Sequence, residues 1–254
     1  MSSSCDVVVV GLGPGGEALA TELAGAGLDV VAVDQRLVGG ECPYFGCVPT
    51  KMMVHAATPL AEARRLPGGA EVRPDWGAVA RRIREEATDD WDDTVAVKRL
   101  EDAGVRFVRG HGRLAGPGRV EVDGSTYDAR TGVVLNTGTE PAVPPVDGLA
   151  GTPYWTNRDA VQVTTLPASL VVIGGGAIGC ELAQVFARFG VEVTVVEVAD
   201  RLLAVEEPEA SRLVADAFAE DGIQVRTDAE IRAVQHAEGT FTVDLGDQQL
   251  SVDR

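Results

Sequence analysis

Asp6-Val7-Val8-Val9-Val10-Gly11-Leu12-Gly13-Pro14-Gly15-Gly16 is the stretch on which the reading of this chain turns. A short apolar run rich in β-branched valine feeds a glycine loop of the form G-x-G-x-x-G. A helical pattern follows over Glu17–Ala26, then a second apolar run, Asp29–Val33, which ends at Asp34. The plan recurs: Leu170–Ile173, the loop Gly174-Gly175-Gly176-Ala177-Ile178-Gly179, a helix from about Cys180 to Phe189, and Val191–Val196 ending at Glu197. The separation from Gly11 to Asp34 equals that from Gly174 to Glu197, 23 positions in each case. In such a unit the glycines allow a tight turn and a close approach of backbone to a pyrophosphate. The helix start offers free N–H groups and a favourable dipole, and the acid accepts from a ribose hydroxyl. A lone G-x-G-x-x-G reads equally well as a tight turn without a ligand. With strand, helix and acid in register twice, two dinucleotide sites are the stronger reading, over one site and a related fold. The candidate residues are Gly11, Gly13, Gly16 and Asp34 in the first copy, and Gly174, Gly176, Gly179 and Glu197 in the second.

At 254 residues the chain has room for two domains, and 45% hydrophobic with 24% charged residues is a globular balance. A net charge of −17 argues against nucleic acid or an anionic membrane as partner. No segment approaches the roughly 18 unbroken apolar residues of a membrane span. Met1–Gly11 has no basic region ahead of its valine run, so it reads as a buried strand rather than a signal peptide. Of the four cysteines, Cys5 and Cys180 fall in apparent core elements, which does not suit a secreted disulfide scaffold. The expected compartment is the cytoplasm.

Between the two copies, Asp75–Ala103 reads as one long, highly charged helix with a solvated face. Val105–Val108, Arg119–Val122 and Gly132–Leu135 read as strands, with turns at Gly116-Pro117-Gly118 and Asp123-Gly124. Asn136-Thr137-Gly138-Thr139-Glu140-Pro141 closes the first unit and begins a connector.

The remaining two cysteines lie in Gly39-Gly40-Glu41-Cys42-Pro43-Tyr44-Phe45-Gly46-Cys47-Val48-Pro49-Thr50-Lys51, five positions apart. On a regular helix that spacing separates them by about 7.5 Å along the axis, whereas a disulfide needs Cα atoms roughly 4.4–6.8 Å apart. A bridged pair therefore requires a distorted backbone, for which Pro43 and Gly46 are suitable residues. A helix N-terminus there would lower a thiol pKa. Three readings stand: a redox pair, half of a metal site, or two unpaired buried thiols. The metal reading needs two further ligands, and His55, His111 and His236 share no spacing with the pair, so no metal is expected.

Taken together, the two glycine motifs, the GG-x-C-x-x-x-x-C-x-P-x-K segment and Thr137-Gly138-Thr139-Glu140-Pro141 resemble the pyridine nucleotide–disulfide oxidoreductases, in the same order and over nearly the whole chain. This is the family of glutathione reductase, dihydrolipoamide dehydrogenase and mercuric reductase. The resemblance implies an FAD domain with Gly11, Gly13, Gly16 and Asp34 at the adenosine diphosphate part, and with Thr137 and Gly138 approaching the cofactor. It implies Cys47 as the sulfur beside the flavin, Cys42 as the one that exchanges with substrate, Lys51 near the flavin ring and Glu181 as its partner. The second unit is implied to bind NAD(P). An acid at position 197 favours NAD over NADP, with Arg201 near enough in sequence to soften the preference.

The chain also departs from the family. Pro43-Tyr44-Phe45 replaces smaller residues between the cysteines, which suggests a different substrate, and Ala177 stands where many members carry a tyrosine that shields the flavin. Cys180 reads as helix packing. Family members continue past the point reached at Arg254, into a dimerisation domain that donates a catalytic histidine–glutamate pair. None of the three histidines here matches that pair, and a fragment or truncated product is expected.

The expected fold is α/β with two Rossmann-like units around central parallel sheets: an FAD-binding domain at 1–150 and an incomplete NAD(P)-binding domain at 151–254. The expected chemistry runs from NAD(P)H through FAD to Cys42–Cys47 and on to a small-molecule or protein-bound disulfide, or in reverse, in a full-length homodimeric parent. The alternatives are a flavoprotein reductase without disulfide exchange and a non-catalytic cofactor-binding fragment.

Overall fold

The computed structural model describes residues 2–68 and 72–254 of the chain. It is an α/β structure of two compact units, one comprising Met1–Pro49 with Arg84–Glu140, the other Thr50–Ile83 with Pro141–Arg254. Residues 50–83 thus group with the later part of the sequence. In chain order the elements are β1 (Ser2–Val10), α1 (Pro14–Gly25), β2 (Val30–Asp34), α2 (Glu41–Tyr44), α3 (Cys47–Arg65), α4 (Trp76–Arg82), α5 (Thr94–Asp102), β3 (Arg106–Arg109), β4 (Arg113–Gly116), β5 (Arg119–Val122) and β6 (Ser125–Leu135). They continue with α6 (Asn157–Ala160), β7 (Ser169–Ile173), α7 (Ala177–Arg188), β8 (Glu192–Val196), α8 (Pro208–Glu220), β9 (Gln224–Arg226), β10 (Ala233–Ala237), β11 (Thr240–Asp244) and β12 (Gln249–Val252).

The first unit is built on a six-stranded sheet ordered β3-β2-β1-β6-β5-β4. Its β3-β2-β1-β6 part is parallel, as the glycine-loop plan implies, but β4 and β5 add antiparallel strands, so the sheet is mixed. β1 is buried on both faces, which is why its valines run without polar interruption. Val7 and Val9 pack with Val30, Ala32, Ala96 and Leu100 on one face. Val8 and Val10 pack with Val31, Val33, Val120 and Val122 on the other. Alternation would put Cys5 with Val7, yet it lies with Val8 and Val10. The cause is a bulge: Asp6 and Val7 both donate to the Asp29 carbonyl, at 2.8 and 3.2 Å, and the register against β6 shifts at the same place.

The single helix read over Asp75–Ala103 is in fact two. After α4 the chain makes one wide π turn (Ile83–Ala87), then breaks at Asp89, Asp90 and Trp91, all left-handed with φ of 48°, 56° and 57°. Helical charge patterning cannot register such a break, because Asp89 and Asp90 are as polar as the helices beside them.

The second unit has a parallel sheet ordered β7-β8-β9 and an antiparallel meander β10-β11-β12. Trp76 of α4 packs on Phe186 and Phe189, with ring centroids 5.6 and 5.1 Å away, and its indole N–H donates to the Val163 carbonyl at 2.9 Å. Arg188 and Asp221 form a nearly buried ion pair at 3.0 Å. Among the described residues no helix is long and apolar enough to cross a membrane.

Leu100, fully buried in the first core, and Val205, 94% exposed, set the scale of what packing contributes. Leu100→Ala is expected to lower unfolding free energy by about 2–5 kcal/mol, and Val205→Ala by no more than about 0.5 kcal/mol. Urea denaturation of both variants checks this.

Candidate functional site

The first glycine loop leaves β1 at Gly11, whose φ of 93° suits glycine and whose N–H donates to the Val33 carbonyl at 2.8 Å. Gly13 caps α1, with Pro14 at the first helical position. A Cβ on Gly16 would overlap the Gly11 carbonyl oxygen, and one on Gly11 would overlap the Asn136 carbonyl oxygen. These two glycines serve backbone packing. The Asp34 carboxylate accepts from Leu12 N–H and from Arg36 N–H, each at 2.7 Å, and is thereby held against the loop. Thr137 follows β6 beside Gly11, and Gly138 is exposed with φ of 68°. The first unit therefore brings Gly11, Gly13, Gly16, Asp34 and Thr137 together. Asn136 joins them unexpectedly: its Nδ2 donates to the Gly11 carbonyl at 3.3 Å and its amide borders Gly13 and Gly15. The available signal was an amide immediately after the apolar run that ends at Leu135.

The second loop repeats this geometry. Gly174 has φ of 102° and donates to the Val196 carbonyl at 2.9 Å, and Gly176 caps α7. Glu197 accepts from Gly175 N–H at 2.6 Å and from Ala199 N–H at 2.8 Å, as Asp34 does in the first copy. A Cβ on Gly179 would overlap the Gly174 carbonyl oxygen, whereas Gly174 and Gly176 have no heavy atom within 4 Å of where a Cβ would stand. That open backbone at a helix start fits a pyrophosphate. Arg201 turns to the Asp200 carboxylate at 3.1 Å and to the Ala204 carbonyl at 2.8 Å, leaving its Nε buried without a partner. A largely apolar cavity of about 640 Å³ borders the loop, lined among others by Tyr154, Trp155, Ile178 and Phe241.

The cysteine segment is docked on the first loop. Gly39 N–H donates to the Leu12 carbonyl at 2.7 Å, and Gly40, with φ of 66°, lies so near Gly13 that a Cβ on it would stand 2.7 Å from the Gly13 Cα. α2 is a single turn carrying Cys42; it stops at Phe45, and α3 starts afresh at Cys47. This interruption is the irregularity that the five-residue spacing demands. Cys42 is half-buried and Cys47 is exposed, and both are free thiols. Interaction with the Cys47 thiol, then burial, then the charge of Cys47 raise the Cys42 pKa. The lowering expected from a helix start does not prevail at Cys42, because the neighbouring sulfur outweighs it. Tyr44 is 6% exposed rather than facing a substrate, and its carbonyl accepts from the Trp91 indole N–H at 3.1 Å. Burial, then the Asp93 and Glu17 carboxylates, push its phenol pKa up.

In the second unit, Lys51 Nζ pairs with Glu181 Oε1. Both side chains are substantially exposed, so water screens the pair and its geometry matters more than its energy. Cys180, next to Glu181, is buried with its thiol against the Gly175 carbonyl at 3.3 Å. Burial, with the Glu197 charge adding to it, pushes its pKa to about 11. Cys180 is a packing residue of α7.

Known proteins resemble this chain in sequence and fold. The chain is 35% identical over 232 residues to a dihydrolipoyl dehydrogenase of Thermus scotoductus, covering 87% of this chain and 48% of that protein. It is 34% identical over 262 residues to a mercuric reductase of Streptomyces lividans, covering 96% and 54%. Among solved structures it superposes on the HOCl-induced flavoprotein disulfide reductase RclA from Escherichia coli with a TM-score of 0.85 at 28% identity, covering 98% of this chain and 55% of that one. The chain thus spans about half the length of these relatives. Residues 5–254 match the pyridine nucleotide-disulphide oxidoreductase family, and the chain belongs to it.

Proposed function

We propose that this chain carries the cofactor-binding and thiol-bearing part of an FAD-dependent NAD(P)H oxidoreductase of the disulfide reductase type. The observation that carries the reading is the pair of free thiols, Cys42 on α2 and Cys47 at the start of α3, on a segment docked through Gly40 against Gly13. A structural disulfide or a core thiol has no need of a seat on a dinucleotide loop. Gly11, Gly13, Gly16, Asp34, Thr137 and Gly138 are the residues that would hold FAD. Gly174, Gly176, Gly179 and Glu197 are those that would hold NAD(P). Bound FAD supplies a two-electron relay between a nicotinamide hydride and a disulfide.

In the reductive direction the Cys42–Cys47 disulfide takes up two electrons and two protons and becomes two thiols. The Cys42 thiolate then attacks the acceptor disulfide, forming a mixed disulfide and releasing one acceptor thiol. Cys47 attacks the Cys42 sulfur, releases the second acceptor thiol and restores the S–S bond. Dihydrolipoamide-type oxidation is the same sequence reversed. Lys51, paired with Glu181, would supply a cation to bound FAD. Glu197 would accept from the ribose of NADH and repel a 2′-phosphate, and Arg201 is already engaged with Asp200 and Ala204. The parent enzyme acts in the cytoplasm as a homodimer on a small-molecule or protein-bound disulfide or thiol.

Anaerobic reductive titration of the FAD-loaded chain tests the disulfide relay. Wild type is expected to take up about four electrons and Cys47→Ser about two, since only the flavin remains. Equal uptake would remove the disulfide from the path and leave a plain flavoprotein reductase. Glu197→Gln keeps an acceptor but loses the charge, and the preference for NADH over NADPH in flavin reduction is expected to fall about tenfold. Alkylation at pH 8 followed by peptide mapping is expected to label Cys47 and Cys42 and to spare buried Cys5 and Cys180. With a pKa of about 11, Cys180 is thiolate in about one molecule in a thousand there. Because the Cys42 pKa is raised, its labelling rate should keep climbing above the ordinary thiol range.

A further inference from the structure

The α2 turn that carries Cys42 is too short to persist by itself. At its C-terminal end the turn is closed by the Phe45 N–H donating to the Glu41 carbonyl at 2.8 Å. The Tyr44 carbonyl lies at the C-terminal end of that turn, where a helix runs out of donors of its own. It is met from outside, by the Trp91 indole N–H at 3.1 Å.

Trp91 itself stands in an unusual place. It is the third of three consecutive left-handed residues, and a bulky side chain seldom adopts that backbone. Such conformations persist where their surroundings over-determine them, and they cluster at functional sites. Here the surroundings are specific. Asp90 N–H donates to the Arg84 carbonyl at 2.7 Å, and its carboxylate pairs with Arg84 at 3.2 Å. On the far side, the buried Asp93 carboxylate accepts from Arg109 at 2.5 Å and from Val38 N–H at 2.6 Å. Residues 91–93 therefore grip the cysteine segment at two points, Val38 and Tyr44, on either side of Cys42.

We propose that Trp91 is a positioning residue for the Cys42–Cys47 pair, holding the Tyr44 carbonyl so that the Cys42 turn keeps a single seat relative to Cys47. This rests on the pair being redox-active, as set out under the proposed function. Disulfide formation removes a hydrogen from each thiol, joins the two sulfurs, and passes two electrons and two protons to the oxidant. Its equilibrium depends on the effective concentration of one thiol at the other. Releasing the turn lowers that concentration and favours the dithiol. The raised pKa of Cys42, caused first by its interaction with the Cys47 thiol, is a second consequence of the same closeness.

The test is redox equilibration of the full chain, wild type and Trp91→Phe, in mixtures of reduced and oxidised dithiothreitol. The oxidised reagent accepts the two electrons and two protons, and the Cys42–Cys47 state is read by alkylation and mass spectrometry. Phenylalanine keeps an aromatic six-membered ring and removes the N–H donor together with the pyrrole part of the indole. The expected result is about a tenfold shift toward the dithiol, about 30 mV for a two-electron couple, together with a Cys42 labelling profile moved to lower pH. A purely structural role for Trp91 would lower the thermal transition and leave both readouts where they were, and that result overturns the proposal. Should Trp91→Phe fail to fold, Asp93→Asn weakens the Val38 grip and carries the same expected direction. If wild type forms no Cys42–Cys47 disulfide at any ratio, the redox reading fails and the positioning role falls with it. A wild-type couple that titrates while the variants titrate identically sinks the positioning role alone.

Discussion

Where Gly40 passes Gly13 the backbones lie so close that a methyl group on Gly40 would stand 2.7 Å from the Gly13 Cα. Neither position has a Cβ, and the Gly40 φ of 66° is one that other residues rarely adopt. Gly39 adds a hydrogen bond to the Leu12 carbonyl at 2.7 Å. The seat of the cysteine segment is thus defined by main chain against main chain, independent of side-chain rotamers. Everything proposed for the pair depends on it, because the first glycine loop is the point to which a dinucleotide would be referred.

The two glycine loops show one geometry in two settings. In each, the last glycine packs helix against strand, and the acid 23 residues on is held by backbone amides within its own loop region. The first loop is further enclosed by Asn136 and by the cysteine segment. The second is open around Gly174 and Gly176. A loop enclosed by its own chain suits a cofactor that stays, and an open one suits a cofactor that exchanges.

The glycine loops, the acids and the cysteine pair were legible because their chemistry forces residue type and spacing together. β1 was legible because a strand buried on both faces must be apolar throughout. The bulge at Asp6, which turns Cys5 to the other face, was not legible, since it arises from two amides sharing the Asp29 carbonyl across the sheet. The break at Asp89–Trp91 was hidden because Asp89 and Asp90 suit a helix surface equally well. Asn136 was quoted as part of a connector, yet its amide packs under a loop 120 residues or more earlier in the chain.

Tyr44 and Cys42 mark the boundary most sharply. By itself the sequence determined that two dinucleotide-type units and a cysteine pair are present, because the allowed turns and the reach of a ribose hydroxyl leave few residue patterns that work. It also determined that the cysteines cannot lie on one regular helix, which is a matter of rise per residue. Only the tertiary structure decided that Tyr44 faces the interior, that Trp91 holds its carbonyl, and that a neighbouring sulfur raises the Cys42 pKa instead of a helix start lowering it. Those outcomes depend on burial and on partners distant in sequence, and local spacing carries no record of either.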